Sequence, residues 1–397
     1  RSLPSVVMGG ICSKKKKVVQ NEVPEKPVLL VREPASNNEL QFNNETQDYT
    51  ETREETTNRD VQSSTRSISK TSSSHNNHKK RKSKNRQPKP KEFEGGDPSK
   101  FIAYTLEKGV QAIKDEFSEI KTKTVCTKKQ CFFFYLQANA PKNRYKDVQC
   151  CDNNRVVLKE LSMGTDYIHA NYCSSTKNPK RFICAQGALA STVADFWSMV
   201  WQEESEFVVM LCNFTEMGKA KCIEYFPVHE KEQFIAGNAT LVCQTVTKET
   251  WPAQVTIRQI TIDRADLQEK RTITHIHWES WPDRGVPPID NSIFKLLDIV
   301  CKSSKPIVVH CSAGIGRTGT TVAIQIALEL IESGNTLEEG LSSLLIDLRK
   351  QRASSVQNDQ QYLFVHRILL HKYMTEDDKH NLNYVKFCVE YDKATLA

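Results

Sequence analysis

The sequence predicts a single α/β (α+β) domain, a twisted mixed β-sheet flanked by helices, preceded by a disordered N-terminal tail. Three observations carry this reading. Residues 97 to about 374 alternate between helical and strand periodicity. An apolar run, Ile307 to His310, passes through a glycine-containing loop into a helix-forming segment. Residues 1–92 are rich in Ser, Thr, Asn, Glu and Lys and follow neither period. Only 38% of the 397 residues are hydrophobic, below the usual globular share, which agrees with an unpacked segment. What remains is long enough to bury a sizeable core.

The elements follow in order. A Ser/Thr run, Ser63 to Ser74, leads into a basic stretch, Lys79 to Lys91. Asp97 is placed to cap a first helix and Pro98 suits its first position. Phe101, Thr105, Ile113, Phe117 and Ile120 then recur at helical spacing. Phe182 to Gln186 reads as a strand, Ser191 to Glu204 as a helix with Phe196, Val200 and Trp201 on one face, and Val208 to Cys212 as a buried strand. Strands and turns dominate from Ala239 to Trp278. A helix near Ile289 to Cys301, the strand Ile307 to His310 and a helix from about Thr318 come next. Gly334 is expected to end that helix, and the capping-box spacing of Thr336 and Glu339 to start another. A last helix covers Asp359 to Tyr373. The expected organisation is a tail over 1–92, a folded domain over 95–375 and a C-terminal tail over 376–397.

Composition narrows the function classes. The thirteen cysteines are scattered, with no CxxC pair and no Cys/His spacing of a zinc site. Scattered free thiols fit a reducing, cytoplasmic setting. No apolar run reaches membrane-spanning length; the aromatic patch Cys131 to Leu136 is far too short. The net charge of +7 sits largely in the tails, so it does not argue for a nucleic-acid partner.

The segment Pro306 to Gly319, PIVVHCSAGIGRTG, carries the chemistry. In such a loop, successive backbone N–H groups of Ser312, Ala313, Gly314, Ile315, Gly316 and Arg317 can form an anion cradle, and the helix behind adds its positive N-terminal end. Gly314 and Gly316 allow the tight turn. Cys311, at the mouth of that cradle, is expected to be a thiolate near neutrality. Arg317 lies six residues later; its planar fork matches two phosphoryl oxygens. Thr318 is placed to donate a hydroxyl hydrogen bond to the sulfur, and His310 precedes the nucleophile. The bland alternative, a structural cysteine in a strand–turn–helix, does not account for the whole pattern.

This loop resembles the signature of the tyrosine-specific, cysteine-based protein phosphatases, and further segments match in order over roughly 95–374. The resemblance implies a phosphocysteine intermediate, a protein phosphotyrosine substrate, and no cofactor or metal. Trp281-Pro282-Asp283 resembles the mobile acid loop, with Asp283 as general acid and later base; Pro282, Gly285, Pro287 and Pro288 suit hinges. Arg284 departs from the usual aromatic residue or His. Asn143 to Asp147 resembles the recognition loop, in which Tyr145 stacks on the substrate ring and sets pocket depth while Asp147 accepts from substrate amides. Gln357 and Gln361 match the loop that positions water. Glu216 to Cys222 resembles the acidic loop: Glu216 pairs with Arg317, and Lys221 approaches the acid loop. In Asp166 to Asn171, His169 stands in place of the usual Asn and is read as structural. The alternatives are a broader-specificity or phosphoinositide phosphatase and an inactive phosphotyrosine-binding module; Asp283 and Tyr145 weigh against them.

Near the start, Met8 is followed by Gly9-Gly-Ile-Cys12-Ser13, which fits the N-myristoylation pattern if Gly9 becomes the N-terminus. Cys12 suits palmitoylation, and Lys14 to Lys17 supply a basic patch. The expectation is an inner-leaflet membrane association. The run 79–91 is read as a solvated charge run, with a nuclear signal or a second membrane patch as alternatives.

Overall fold

The structure, a computed structural model, describes residues 96–162 and 164–395. The chain divides into two units, 1–85 and 86–397, and every described residue belongs to the second. Gly9, Cys12 and the basic runs at 14–17 and 79–91 lie outside the described residues.

Helix α1, Ser99–Lys123, begins where Asp97 accepts hydrogen bonds from the Ser99 N–H (2.9 Å) and hydroxyl (2.8 Å). Its apolar spacing buries Phe101, Thr105, Ile113, Phe117 and Ile120. Gly109, at φ 71 and ψ 171, divides it into two helical pieces. The short α2, Phe132–Tyr135, follows.

Strands β1 (Arg155–Ser162), β2 (Thr165–Cys173) and β3 (Phe182–Ala185) precede α3 (Val193–Gln202) and β4 (Phe207–Met210). A small hairpin of β5 (Thr215–Glu216) and β6 (Lys219–Ala220) comes next, then β7 (Gln233–Ala236) and the long strands β8 (Ala239–Lys248), β9 (Val255–Arg264) and β10 (Glu269–Trp278). Helix α4 (Ser292–Val300), β11 (Ile307–His310) and helices α5 (Arg317–Glu332), α6 (Ser342–Gln351), α7 (Asp359–Tyr373) and α8 (Leu382–Thr395) complete the domain.

Nine strands form one mixed sheet in the order β1-β2-β3-β11-β4-β10-β9-β8-β7. The four neighbours β3, β11, β4 and β10 are mutually parallel, and antiparallel strands flank them. Every residue of β3 and β11 is buried, as expected of parallel strands covered on both faces. Burying each Val or Ile of these strands contributes about 1.5–3 kcal/mol relative to exposure. Helix α5 packs on β3 and β11 and is covered by α6 and α7, on which α1 lies, while α3 packs on β1, β7 and β8.

This topology places the site. Parallel strands end at the same edge of the sheet, and in α/β folds the crevice beyond those carboxyl ends is where ligands bind. The C-terminal ends of β3, β4, β10 and β11 deliver 186–187, 211–216, 279–283 and 311–316 to one edge. The Gly187 N–H donates to the Ser312 carbonyl at 3.0 Å, and the Leu211 N–H to the His310 carbonyl at 2.9 Å.

Two expectations change. Thr336 and Glu339 start no helix: Leu337 (φ 46) and Gly340 (φ 72) take left-handed backbone that interrupts a helical turn, and α6 begins only at Ser342. Residues 376–397 do not simply trail as a tail. Tyr384, Phe387 and Tyr391 recur at helical spacing, so α8 has an apolar stripe, which it buries against α1 and α7.

Burial also sets a pH response. His169, His310 and His366 are fully enclosed, and burial pushes each imidazole down to about 3; His275 is likewise held well below 6.5. The native state therefore keeps four neutral rings that the unfolded chain protonates below pH 6.5. Their contribution is intact above that value and is lost as pH falls toward 3, at about 1.4 kcal/mol per pH unit for each ring. Urea midpoints should fall steeply between pH 7 and 5. A flat profile over that range would show that these rings titrate in the folded protein.

Candidate active site

Cys311 follows β11 directly and is 4% exposed. The loop turns back over its sulfur, and the Gly314 N–H donates to Sγ at 3.2 Å. Gly314 has φ 69, and a Cβ there would lie 2.0 Å from the Ala185 carbonyl oxygen, so only glycine fits. Gly316 has φ −77 and ψ −90, and its bare Cα leaves room for Gln357 and Gln361, whose side chains a Cβ would meet at 3.0 Å. Ser312 donates from Oγ to the Lys221 carbonyl at 2.9 Å, and the Ile315 carbonyl accepts from the Val356 N–H at 2.9 Å.

Arg317, the first residue of α5, has a side chain 3% exposed. Its two terminal nitrogens donate to the two oxygens of Glu216, each at 2.6 Å, in a bidentate pair. Nη1 also donates to the Leu211 carbonyl at 2.7 Å and the Trp281 carbonyl at 3.2 Å, and Nη2 reaches Asp283 Oδ1 at 3.1 Å. Burial alone would pull the guanidinium down, but the Glu216 carboxylate more than offsets it and the group stays charged. The fork is thus oriented before any ligand arrives.

Asp283 lies over the loop. Lys221 Nζ donates to its Oδ2 at 2.5 Å. Burial pushes this carboxyl up; Lys221 and Arg317 together outweigh that and hold it below the usual carboxylate range. Trp281, 1% exposed, anchors the segment and donates from its ring to the Gly285 carbonyl at 3.3 Å. Arg284 adopts φ 60, and its carbonyl accepts from Asn358 Nδ2 at 2.6 Å, which ties the acid segment to the 357–361 segment.

The Tyr145 hydroxyl and Ser312 Oγ are 2.8 Å apart. Tyr145, Asp147, Lys221, Asp283, Cys311 and Arg317 share a pocket of about 90 Å³, whose wall also includes Gln357 and Gln361. A wider cleft of about 610 Å³, between Ser174 and Gln351, is lined by no cysteine and shares none of these residues. Gln361 Oε1 accepts from the Gln357 N–H at 2.9 Å, so Gln361 holds the backbone of Gln357.

Thr318 differs from expectation. Its Oγ1 is buried and makes no hydrogen bond among the described residues, because α5 carries it into the packed first turn. The sulfur takes the Gly314 amide instead. His310 Nδ1 donates to the Cys311 carbonyl at 3.3 Å. With that ring neutral, Nε2 accepts from the Tyr225 hydroxyl at 2.6 Å, whose oxygen in turn accepts from His275 Nε2 at 2.8 Å. His169 lies outside the pocket and donates from Nε2 to the Val148 carbonyl at 2.8 Å, steadying the segment that carries Tyr145.

Three supports were not singled out from the sequence. Arg352, fully buried, donates to the Gly314 and Ala313 carbonyls at 3.0 Å each and to Asn171 Oδ1 at 2.9 Å. Arg144 donates to the carbonyls of Gly187 and Ala188, and Gln186 accepts from the Arg144 N–H at 3.0 Å. Tyr225 links His310 to His275. Nothing in their spacing ties them to Cys311; the proximity of Arg352 to Gln357 and of Arg144 to Tyr145 in the chain was the signal.

A thiol held at the carboxyl edge of parallel strands, within an amide loop closed by a helix N-terminus, is the construction of the cysteine-based phosphatases. Similar known proteins agree. The description protein-tyrosine phosphatase matches residues 139–371, more than half of the chain, and the chain belongs to that family. Receptor-type tyrosine-protein phosphatase eta of Gallus gallus is 35% identical over 272 residues, covering 67% of this chain and 19% of the relative. Tyrosine-protein phosphatase non-receptor type 12 of Homo sapiens is 35% identical over 240 residues, covering 59% of this chain and 30% of the relative. The chain therefore spans less than a third of the length of either protein. The solved catalytic domain of human protein tyrosine phosphatase non-receptor type 18 matches with a TM-score of 0.64 at 26% identity, covering 70% of this chain and 100% of that one. The same phosphatase in complex with HER2-pY1196 phospho-peptides matches equally, at 0.64 and 26%, over 70% of this chain and 99% of that one.

Proposed function

We propose that this protein hydrolyses phosphotyrosine in proteins through a phosphocysteine intermediate. The observation that carries the proposal is the Arg317 fork, locked by Glu216 and aimed, together with Asp283, at the pocket that opens on Cys311. The Cys311 thiolate attacks phosphorus in line, forming the S–P bond as the bond to the tyrosine oxygen breaks. The amides of 312–317 and the Arg317 guanidinium stabilise the equatorial oxygens. Asp283 protonates the departing phenolate. Water positioned by Gln357 then attacks phosphorus, Asp283 takes its proton, and phosphate leaves with the thiolate regenerated. A phosphoryl dianion entering the pocket competes with Asp283 for Arg317 and adds negative charge beside it. Both effects raise the carboxyl toward the protonated form that the first step needs.

Tyr145 supports phosphotyrosine over phosphoserine. Its hydroxyl, held at Ser312, fixes the ring as a pocket wall, so only a long aryl phosphate spans from rim to sulfur. That the non-receptor type 18 phosphatase has been solved with phosphotyrosine peptides supports the same substrate class. The test is kcat/KM on matched phosphotyrosine and phosphoserine peptides, with a strong preference for the former expected. Equal values would favour a broad-specificity enzyme, and tight binding without turnover an inactive module.

The proposal extends to location. Among the described residues no helix is long and apolar enough to cross a membrane, and the Gly9 pattern, Cys12 and Lys14 to Lys17 together support acyl anchoring at the inner leaflet. Expressed from Met8, the protein should carry an acyl mass on its N-terminal peptide and pellet with membranes, and Gly9→Ala should release it. A soluble protein without that mass would remove the anchoring part alone.

A further inference from the structure

The fold assembles three cysteines that take no part in the chemistry above. Cys126 follows the end of α1, Cys131 precedes α2, and Cys151 lies in the turn before β1. Their sulfurs all lie within 4.8 Å of one another, and those of Cys126 and Cys151 are 3.9 Å apart. Cys131 and Cys151 are buried, and Cys126 is half-buried at the mouth of the group. Phe133, Phe134, Tyr167 and Ala353 pack around them.

We propose that Cys126, Cys131 and Cys151 form a binding site for one Zn²⁺ ion. Thiolates at Zn–S distances of about 2.3 Å around one centre place their sulfurs roughly 3.8–4.0 Å apart, in trigonal or tetrahedral arrangement. The Cys126–Cys151 separation has that value, whereas a disulfide draws two sulfurs to about 2.05 Å and leaves the third unused. Sulfur-only ligands select a thiophilic d¹⁰ cation over Mg²⁺ or Ca²⁺. Three protein ligands leave a fourth position at the half-buried Cys126 side, for water or an outside donor. Three thiolates and Zn²⁺ carry a net charge of −1, and the buried Arg352 cation lies close by, donating to the Asn171 side chain that itself donates to the Cys151 carbonyl.

The site bears on the phosphatase domain through its neighbours. Cys151 stands four residues after Asp147, and its carbonyl accepts from Asn171 Nδ2 at 2.8 Å. Asn171 also receives Arg352, whose other donors hold the carbonyls of Ala313 and Gly314. An ion here would staple the end of α1 to the base of the Tyr145 segment.

The test uses the full chain carrying Cys311→Ser, which removes the reactive thiol as a competing ligand. The protein is reduced, stripped of metal and titrated with Co²⁺ as a spectroscopic probe, then with Zn²⁺ in competition. One equivalent of Co²⁺ should bind with intense sulfur-to-cobalt charge-transfer absorption, and one equivalent of Zn²⁺ should displace it and raise the melting temperature. Adding Cys126→Ala, at the half-exposed position, should weaken binding at least tenfold without changing the metal-free melting temperature. Cys151→Ser should abolish the charge-transfer band. No equivalent of bound metal, or a band unchanged by Cys126→Ala and Cys151→Ser, would overturn the proposal.

Discussion

Cys311→Ser is expected to eliminate turnover while leaving phosphotyrosine-peptide binding within a few-fold of the parent. The reason is the division of labour around the sulfur. Binding rests on backbone amides and on Arg317, which Glu216 and the Leu211 carbonyl hold independently of residue 311. Bond formation rests on the sulfur alone. A serine hydroxyl at the same position stays protonated near neutrality, and no base among its hydrogen-bond partners removes that proton: His310 faces the Cys311 carbonyl through Nδ1 and Tyr225 through Nε2. Rapid-quench assays on an aryl phosphate, paired with peptide binding by calorimetry, measure both halves. Substantial residual turnover would falsify the covalent route.

The second large effect is Asp283→Ala. Loss of a general acid lowers kcat by about 10²–10⁴. The geometry adds two conditions to that figure. Asp283 accepts from Arg317 Nη2 and pairs with Lys221, so its removal releases Lys221 and that one Arg317 donor toward the phosphoryl group. KM should therefore hold or fall. The loss should also depend on the leaving group: phenyl phosphate, whose phenolate needs the proton, should lose far more than p-nitrophenyl phosphate, whose phenolate does not. Equal losses on both substrates would show that Asp283 acts by holding the loop rather than by donating a proton.

Much of the local architecture was legible. Ile307–His310 and Asp359–Tyr373 form the strand and helix the sequence predicts, and each has a sharp local cause. The first opens with the β-branched run Ile307-Val308-Val309; the second starts where Asn358 accepts from the Gln361 N–H at 2.9 Å. The start of α6 was not legible, because the Thr336–Glu339 spacing takes no account of the left-handed backbone at Leu337 and Gly340. The stripe of α8 is legible only once α1 and α7 are there to receive it.

The sequence by itself determined the strand–loop–helix of 306–319, since its parts are contiguous and short-range sterics choose among them. It also named the partners Glu216, Lys221 and Asp283 as types of residue in recognisable segments. Only the tertiary structure decided how they meet. Arg317 and Glu216 are 101 residues apart, Lys221 and Asp283 are 62, and each pair forms because parallel strands bring separate loops to one sheet edge. The same holds for Arg352 beneath Gly314 and for the three sulfurs of 126, 131 and 151, which no spacing motif joins. Such contacts depend on strand order and crossover, which a one-dimensional pattern does not encode locally.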